Sequence, residues 1–397
     1  MDRTVGTVIR GVRTPVIRKG DNLVEIVAES LAKCRASEGF AYMDGDVVGV
    51  TEAVVARAQG NYADIASIAE DVKSKMRSDE FAVMYPILSR NRFAVCLKGI
   101  AMAARKIHLV LSYPADEFGN HLFDERLIYK KSVNPWYDEL TYDRYRELFG
   151  YPKHSITGMD YVEYYRKIVE DYGAEFELLL CNNVANIAKK FDDILLCSVH
   201  NIEAHKEMLL ENGTKRVVPL SEILNKKVPG CEGYNERYGL LGSNKSTEEA
   251  VKLFPRDCEA FVAELQDRLA ALTGKKVEVI IFGDGAFKDP VSKIWELADP
   301  VVSPAYSKGL DGMTNEIKLK YVADIEFASL SGEMLVDAVK KRIGEKDGDL
   351  RGSMAAMGTT PRRLNDLLGS LCDLTSGSGD KGTPVVYIQG YFDNFSS

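Results

Sequence analysis

The sequence predicts an α/β protein, a mixed α+β module interrupted by an inserted lobe of βαβ type. Three observations predict it. Short apolar runs alternate with amphipathic stretches at helical spacing. Between residues 106 and 230 the alternation becomes regular, as it does where parallel strands are joined by helices. The stretches on either side instead carry glycine-rich turns. At 397 residues the chain exceeds one ordinary core. The expected division is 1–105 for the first part of the module, 106–230 for the lobe and 231–397 for the second part.

The elements follow in order. "RTVGTVIRGV" alternates as a strand, "TPVIRKGD" is a turn, and "NLVEIVAESLAKCRASE" has apolar residues at helical spacing. "DGDVVGV" is a strand running into a segment that ends at Gly60, and residues 62 to 76 read as helical. In the lobe, the strands are "KIHLVLSY", "EFELLLC", "DDILLCSV" and "KRVVPL"; "DYVEYYRKIVEDYG" and "IEAHKEMLLENG" are helices between them. The aromatic "NPWYDELTYDRYRELFGYPKH" reads first as a surface subdomain packed by its own rings and second as a ligand platform. Beyond residue 230 come a helix in "RDCEAFVAELQDRLAALTG" and the buried strand of "VIIFGDGAFKDP". Helices in "GEMLVDAVKKRIGEK" and "TPRRLNDLLGSLCDL" precede a last strand, "VVYIQGYF".

Composition excludes several classes. No stretch approaches the ~20 apolar residues of a membrane span, and the start lacks a secretory h-region, so no membrane partner and a cytoplasmic location are expected. A net charge of −8 argues against a nucleic-acid partner, which needs a basic face. The seven cysteines have no CxxC spacing and read as reduced core thiols. His200 and His205 are five apart, off a helical i, i+4 alignment, and suggest no metal.

Three loops have the chemistry to hold a phosphate, because close approach of backbone amides to an anion needs glycine beside Ser, Asn or Lys. The first is "GLLGSNKSTEEA", with Ser243, Asn244 and Lys245; it lacks P-loop spacing, and a solvated loop is its plain alternative. The second is "LTSGSGDKGTPVV", with Gly377, Ser378, Gly379, Asp380 and Lys381; a flexible hairpin explains it equally. The third follows the buried strand, where Asp284 sits between glycines with Lys288 and Asp289 beyond it. A carboxylate at a strand's carboxyl end suits Mg2+ or Mn2+, which prefer oxygen ligands, although a turn also explains it.

Other polar residues stand out less. Glu52 and Arg57 lie on a segment that reads as buried, where a charge needs a partner or a function. Arg90 and Arg92 have the chemistry for a carboxylate or phosphate, and equally for structural salt bridges. "DEFGNH", residues 116 to 121, falls at the lobe's crevice but reads as a turn.

The order "TPVIRKGDNL", "GDVVGVTEAVVARAQG", "GLLGSN", "LFPRDCEAFVAELQDRL", "VIIFGDGAFKDP" and "GTPVVYIQGY" resembles the gamma-glutamyl ligases that add glutamate to the deazaflavin coenzyme F420. The resemblance covers residues 1 to about 75 and 231 to 397; the stretch from about 78 to 230 has no counterpart in the short ligases, so the chain looks like a longer branch. It implies a GTP- and metal-dependent amide ligase, usually a homodimer. In such enzymes a small-molecule carboxylate attacks the γ-phosphate, and the amine of L-glutamate then displaces phosphate from the acyl phosphate.

Carried over by motif, the family's strand-ending Asp falls on Asp284, its Arg on Lys288 and its Ser-Asn on Ser243 and Asn244; a family Lys is replaced by Arg57. The resemblance thus implies Asp284 at a Mg2+ or Mn2+ ion, with Glu52 and Asp289 as the further acids expected around it. It implies Lys288 and Arg57 as cations against the transferring phosphoryl group. With Ser243 and Asn244 carried over, the loops read as converging on a nucleotide phosphate, with Lys245 beside them and Gly377, Ser378, Gly379 and Lys381 as a cradle. The chain departs at Leu241, where the family carries an Asp, at Gly285 in place of Thr, and at Ala53 in place of Lys. The lost acid leaves Glu52, Asp289 or Asp380 to take over. A different acceptor, such as a folate-like glutamyl chain, and a nucleotide-binding module without turnover are the two alternative functions.

Overall fold

A computed structural model describes residues 4–285, 300–376 and 379–396. The first stretch runs β1 (Val8–Val12), α1 (Leu23–Glu38), β2 (Val47–Thr51), α2 (Glu52–Gln59), β3 (Tyr62–Asp64) and α3 (Ile65–Lys75). The middle opens with β4 (Glu80–Met84), α4 (Phe93–Met102), β5 (Lys106–Leu111) and α5 (Arg126–Lys130). It continues through β6 (Leu140–Thr141), α6 (Tyr142–Phe149), α7 (Tyr161–Asp171) and β7 (Glu175–Leu180). It closes with α8 (Val184–Ala188), β8 (Asp193–Leu196), α9 (Ile202–Glu211) and β9 (Arg216–Pro219). The last stretch holds β10 (Asn244–Thr247), β11 (Ala250–Lys252), α10 (Cys258–Thr273), β12 (Glu278–Phe282) and β13 (Ala305–Tyr306). After them come α11 (Leu319–Tyr321), α12 (Gly332–Gly344), α13 (Leu364–Ser376) and β14 (Val385–Gln389).

Local signals explain the boundaries. Asn22 caps α1 by accepting from the Glu25 amide, and Gly39 closes it in the left-handed region. Thr51 caps α2, which ends on left-handed Gly60.

The strands form three sheets. The first has the order β1-β14-β2-β12-β13, with only β2 and β12 parallel. The second is an antiparallel trio, β10-β11-β3. The third has the order β6-β7-β5-β4-β8-β9 and is parallel except for its edge strand β6. The mixed α/β fold class is the expected one, and the lobe's four predicted strands and two predicted helices are present as β5, β7, β8, β9, α7 and α9.

The lobe, however, starts earlier than residue 106. Its central strand is β4, which pairs with both β5 and β8. The segment "FAVM" is buried throughout. A parallel strand covered on both faces shows a continuous apolar run without alternation, so its sequence does not announce which sheet it joins. All seven cysteines are free thiols, six of them buried.

Candidate functional site

The five-stranded sheet gathers its chemistry on one edge. In the parallel pair, Thr51 stands opposite Phe282, so Glu52 and Asp284 follow adjacent strands out of the sheet at the same end. β14 runs antiparallel to β2 and enters at that end, with Val385 opposite Val50 and the Thr51 amide donating to Pro384 O at 3.0 Å. β1 leaves there too, with Val12 opposite Val385. Arg13, Lys381 and Asp284, together with Glu52 at the start of α2, therefore lie along one edge. The strands carrying Lys381 and Asp284 are two steps apart, about 10 Å at ordinary sheet spacing.

Asp284 is half-buried and forms an ion pair with Arg92, which is 15% exposed and stands at the N-terminus of α4. The next amide, Gly285 N, donates to Asp373 Oδ2 of α13 at 2.8 Å. A Cβ at 285 would lie 3.0 Å from that oxygen and from Ser370 Cα, so a side chain here would push α13 back by a few tenths of an ångström. Sequence reading missed Asp373. Its one signal was its place in the final turn of a helix that leads into a glycine-rich loop.

The Arg92 turn also touches the first predicted phosphate loop. Lys245 N donates to Asn91 O at 2.5 Å, and Cys96 Sγ lies 3.3 Å from Ser243 Oγ. Burial pushes the Cys96 thiol up to about 11, against the opposing hydrogen bond with Ser243, so it stays protonated. Gly242 turns the chain at φ +67°, where a Cβ would meet the Phe254 ring at 2.6 Å. Leu241 is buried in the apolar cluster behind the turn. Asn244 opens β10 opposite Lys252.

Lys252 in turn meets Glu52. Its Nζ contacts Oε1 at 2.6 Å and Oε2 at 2.5 Å, with both residues buried. The Glu52 carboxylate, expected beside a metal, thus has a fixed cation on both oxygens. Lys245 pairs with Glu248, which also accepts from Lys98. Arg57 is exposed on α2, on a segment that sequence reading took to be buried.

Lys381 lines a separate cleft of about 990 Å³ at the β1 and β14 end of the edge. Arg10, Arg13 and Lys33 line it too, with Glu38 the one acid among the lining residues. Four cations against one carboxylate suit a polyanion. Thr375 of α13 lines the same cleft, so that helix carries side chains to both the carboxylate end and the basic end. Lys288, Asp289, Gly377 and Ser378 lie outside the described residues, and Gly379 begins a short 3₁₀ turn.

The described residues hold no cluster of three or more His, Cys, Asp or Glu poised for a metal. Two carboxylates do meet at the Gly285 turn, Asp284 paired with Arg92 and Asp373 accepting from the Gly285 amide, and oxygen donors of this kind are the chemistry a hard cation takes. A second metal does not fit at Leu241 or at Glu52, the first apolar and the second neutralised by Lys252.

None of the helices among the described residues is long and apolar enough to cross a membrane. No curated protein matches the chain. The sequence model of a family described as F420-0:Gamma-glutamyl ligase matches residues 11–390, through the middle lobe as well as the stretches flanking it. On that match over nearly its whole length, the chain belongs to the F420-0:gamma-glutamyl ligase family, whose members form amide bonds to glutamate.

Proposed function

We propose that this protein uses GTP to join L-glutamate, or a similar amino acid, to a small-molecule carboxylate through an acyl phosphate, and that it does so with one Mg2+ or Mn2+. The observation that carries the reading is the common sheet edge, on which Asp284 follows β12 and the Lys381 loop leads into β14, two strands away. That spacing suits a single nucleoside triphosphate. Its phosphates would lie along Arg10, Arg13, Lys33 and Lys381, whose charge opposes that of the polyphosphate.

The chemistry balances in two displacements. An acceptor carboxylate oxygen bonds to the γ-phosphorus as the bond to the β-phosphate oxygen breaks, releasing GDP. The glutamate amine then attacks the acyl carbon, orthophosphate leaves, and the amine loses a proton to solvent. Asp284 and Asp373 would hold the cation, which supplies positive charge to the transferring phosphoryl group. The cations of the cleft hold and orient the phosphates. Arg92, from the inserted lobe, fixes the Asp284 carboxylate and ties the lobe to the site.

A second reading has specific support. Leu241 in place of a family acid, Glu52 neutralised by Lys252 and Asp284 paired with Arg92 together favour a module that binds a nucleotide without turnover. Orthophosphate release with GTP, Mg2+, glutamate and a panel of ring carboxylates separates the two. Acceptor-dependent release supports the ligase. Calorimetric GTP binding without release for any acceptor supports the module.

A further inference from the structure

The inserted lobe has a crevice of its own. In its sheet the chain builds outward from β4 through β5 to β7, then crosses back to place β8 on the other side of β4. Ligand crevices in open α/β sheets form at such a reversal, outside the carboxyl ends of the strands. A cavity of about 220 Å³ lies there, lined by Tyr85 after β4, Ser112 after β5, Asn182 after β7 and Ser198 after β8. Both stretches that the sequence left with a bland explanation also reach it. "DEFGNH" contributes Asp116 and Glu117, and the aromatic segment contributes Trp136.

The lining chemistry restricts what fits. Tyr85 and His205 meet edge to face at 5.3 Å, and Trp136, 72% exposed, adds a third ring at the rim. Its amide is held by Asn134 Oδ1 at 3.0 Å, so the ring is presented from a fixed turn. His205 Nδ1 lies 2.8 Å from Ser198 Oγ, which leaves Nε2 as its remaining polar atom. Glu117 Oε1 accepts from Val199 N at 2.5 Å and His200 N at 3.2 Å, and Oε2 accepts from Asn201 Nδ2 at 3.2 Å. Asp116 is committed to the turn, accepting from the amides of Leu88, Phe118 and Asn120. The lining contains two carboxylates and neither Lys nor Arg. A phosphate would meet only like charge there.

We propose that this crevice binds a small planar heterocycle bearing N–H donors, of purine or pterin type, through its ring and not through a phosphate. The volume suits one fused bicycle and is below that of typical sites for drug-sized molecules. Stacking against Trp136, Tyr85 and His205 supplies the apolar contact, and Glu117 accepts from the ring N–H groups. The loop from Tyr85 to Arg92 joins the crevice to the Asp284 end of the ligase module; its seven steps span at most about 25 Å. The same ring chemistry could belong to a free nucleoside or to the ring portion of a ligase acceptor.

Calorimetry on the full chain tests this with three probes: guanosine, pterin-6-carboxylate and inorganic phosphate. Saturable binding of either ring probe is expected, and inorganic phosphate, whose place is the basic cleft of the ligase module, should not displace it. Binding of guanosine points to a nucleoside source, and binding of the pterin acid alone to an acceptor. Trp136→Ala, at an exposed position that folding tolerates, should weaken the ring at least tenfold, and Glu117→Gln should also weaken it. Asp284→Asn should leave ring binding unchanged, which keeps this result separate from the ligase reading. Ring binding that survives both Trp136→Ala and Glu117→Gln, no ring binding at millimolar concentration, or competition by phosphate would each overturn the proposal.

Discussion

Arg92 of the inserted lobe forms an ion pair with Asp284 at the carboxyl end of the strand that the ligase module aims at its site. The lobe therefore meets the end of β12 through a charge. Replacing Arg92 by Met removes this ion pair from the Asp284 carboxylate. Because Asp284 is about a third exposed, a loss of about 1–2 kcal/mol in urea unfolding is expected, below the full value of a buried charged hydrogen bond. Mg2+ affinity should rise in the same variant as the competing cation is removed.

The Glu52–Lys252 pair is buried on both sides, which makes breaking it costly and replacing it cheap. Lys252→Met alone should destabilise the chain by about 3–5 kcal/mol through the charge it strands. The double variant Glu52→Leu with Lys252→Met should recover most of that. A Glu52 that served a metal would instead leave the double variant folded but with altered Mn2+ binding, which a titration reads directly.

Asn61 joins three segments. Its amide nitrogen donates to Tyr234 O at 2.9 Å and Phe254 O at 2.6 Å, and its oxygen accepts from Tyr234 N at 3.1 Å and from Arg256. The side chain is fully buried. Asn61→Ala orphans the three backbone partners, while Arg256 keeps Glu232 O at 3.0 Å, and a loss of about 3 kcal/mol is expected from chemical denaturation at about 1 kcal/mol for each unmade backbone bond.

His154 supplies a pH dependence. Burial holds its pKa below the ordinary value of 6.5, with His121 and Arg90 acting in the same direction. Its Nδ1 accepts from the Thr157 amide at 3.2 Å, so the ring is neutral in the folded turn. With the folded pKa below the unfolded one, the unfolded chain binds more protons between the two values. The contribution is therefore complete above about pH 6.5 and is lost as pH falls through the folded value. Thermal unfolding at pH 7.5 and 5.5 should show a smaller drop for His154→Asn than for the unaltered chain.

Much of the architecture was legible because local signals agree with it. The helix α1 carried its Asn22 cap, its apolar spacing and its closing glycine in eighteen consecutive residues, and the structure follows them. The membership of β4 was not legible, since a run buried on both faces carries no alternation to assign it. In the site, Asp284 was visible as a carboxylate between glycines at a strand end. Asp373 was not, because a helix-terminal Asp looks the same whether it faces water or a neighbouring amide. The partners of Glu52 and Asp284 were hidden for a plainer reason. Lys252 lies 200 residues from Glu52 and Arg92 lies 192 from Asp284, and no local pattern records contacts at that separation.

Mn2+ binding followed by electron paramagnetic resonance, with GTP present, addresses the strand-end site most directly. One bound Mn2+ per chain is expected for the unaltered protein, and its loss in both Asp284→Asn and Asp373→Asn. Binding that persists unchanged in those two variants would contradict a cation held at the end of β12.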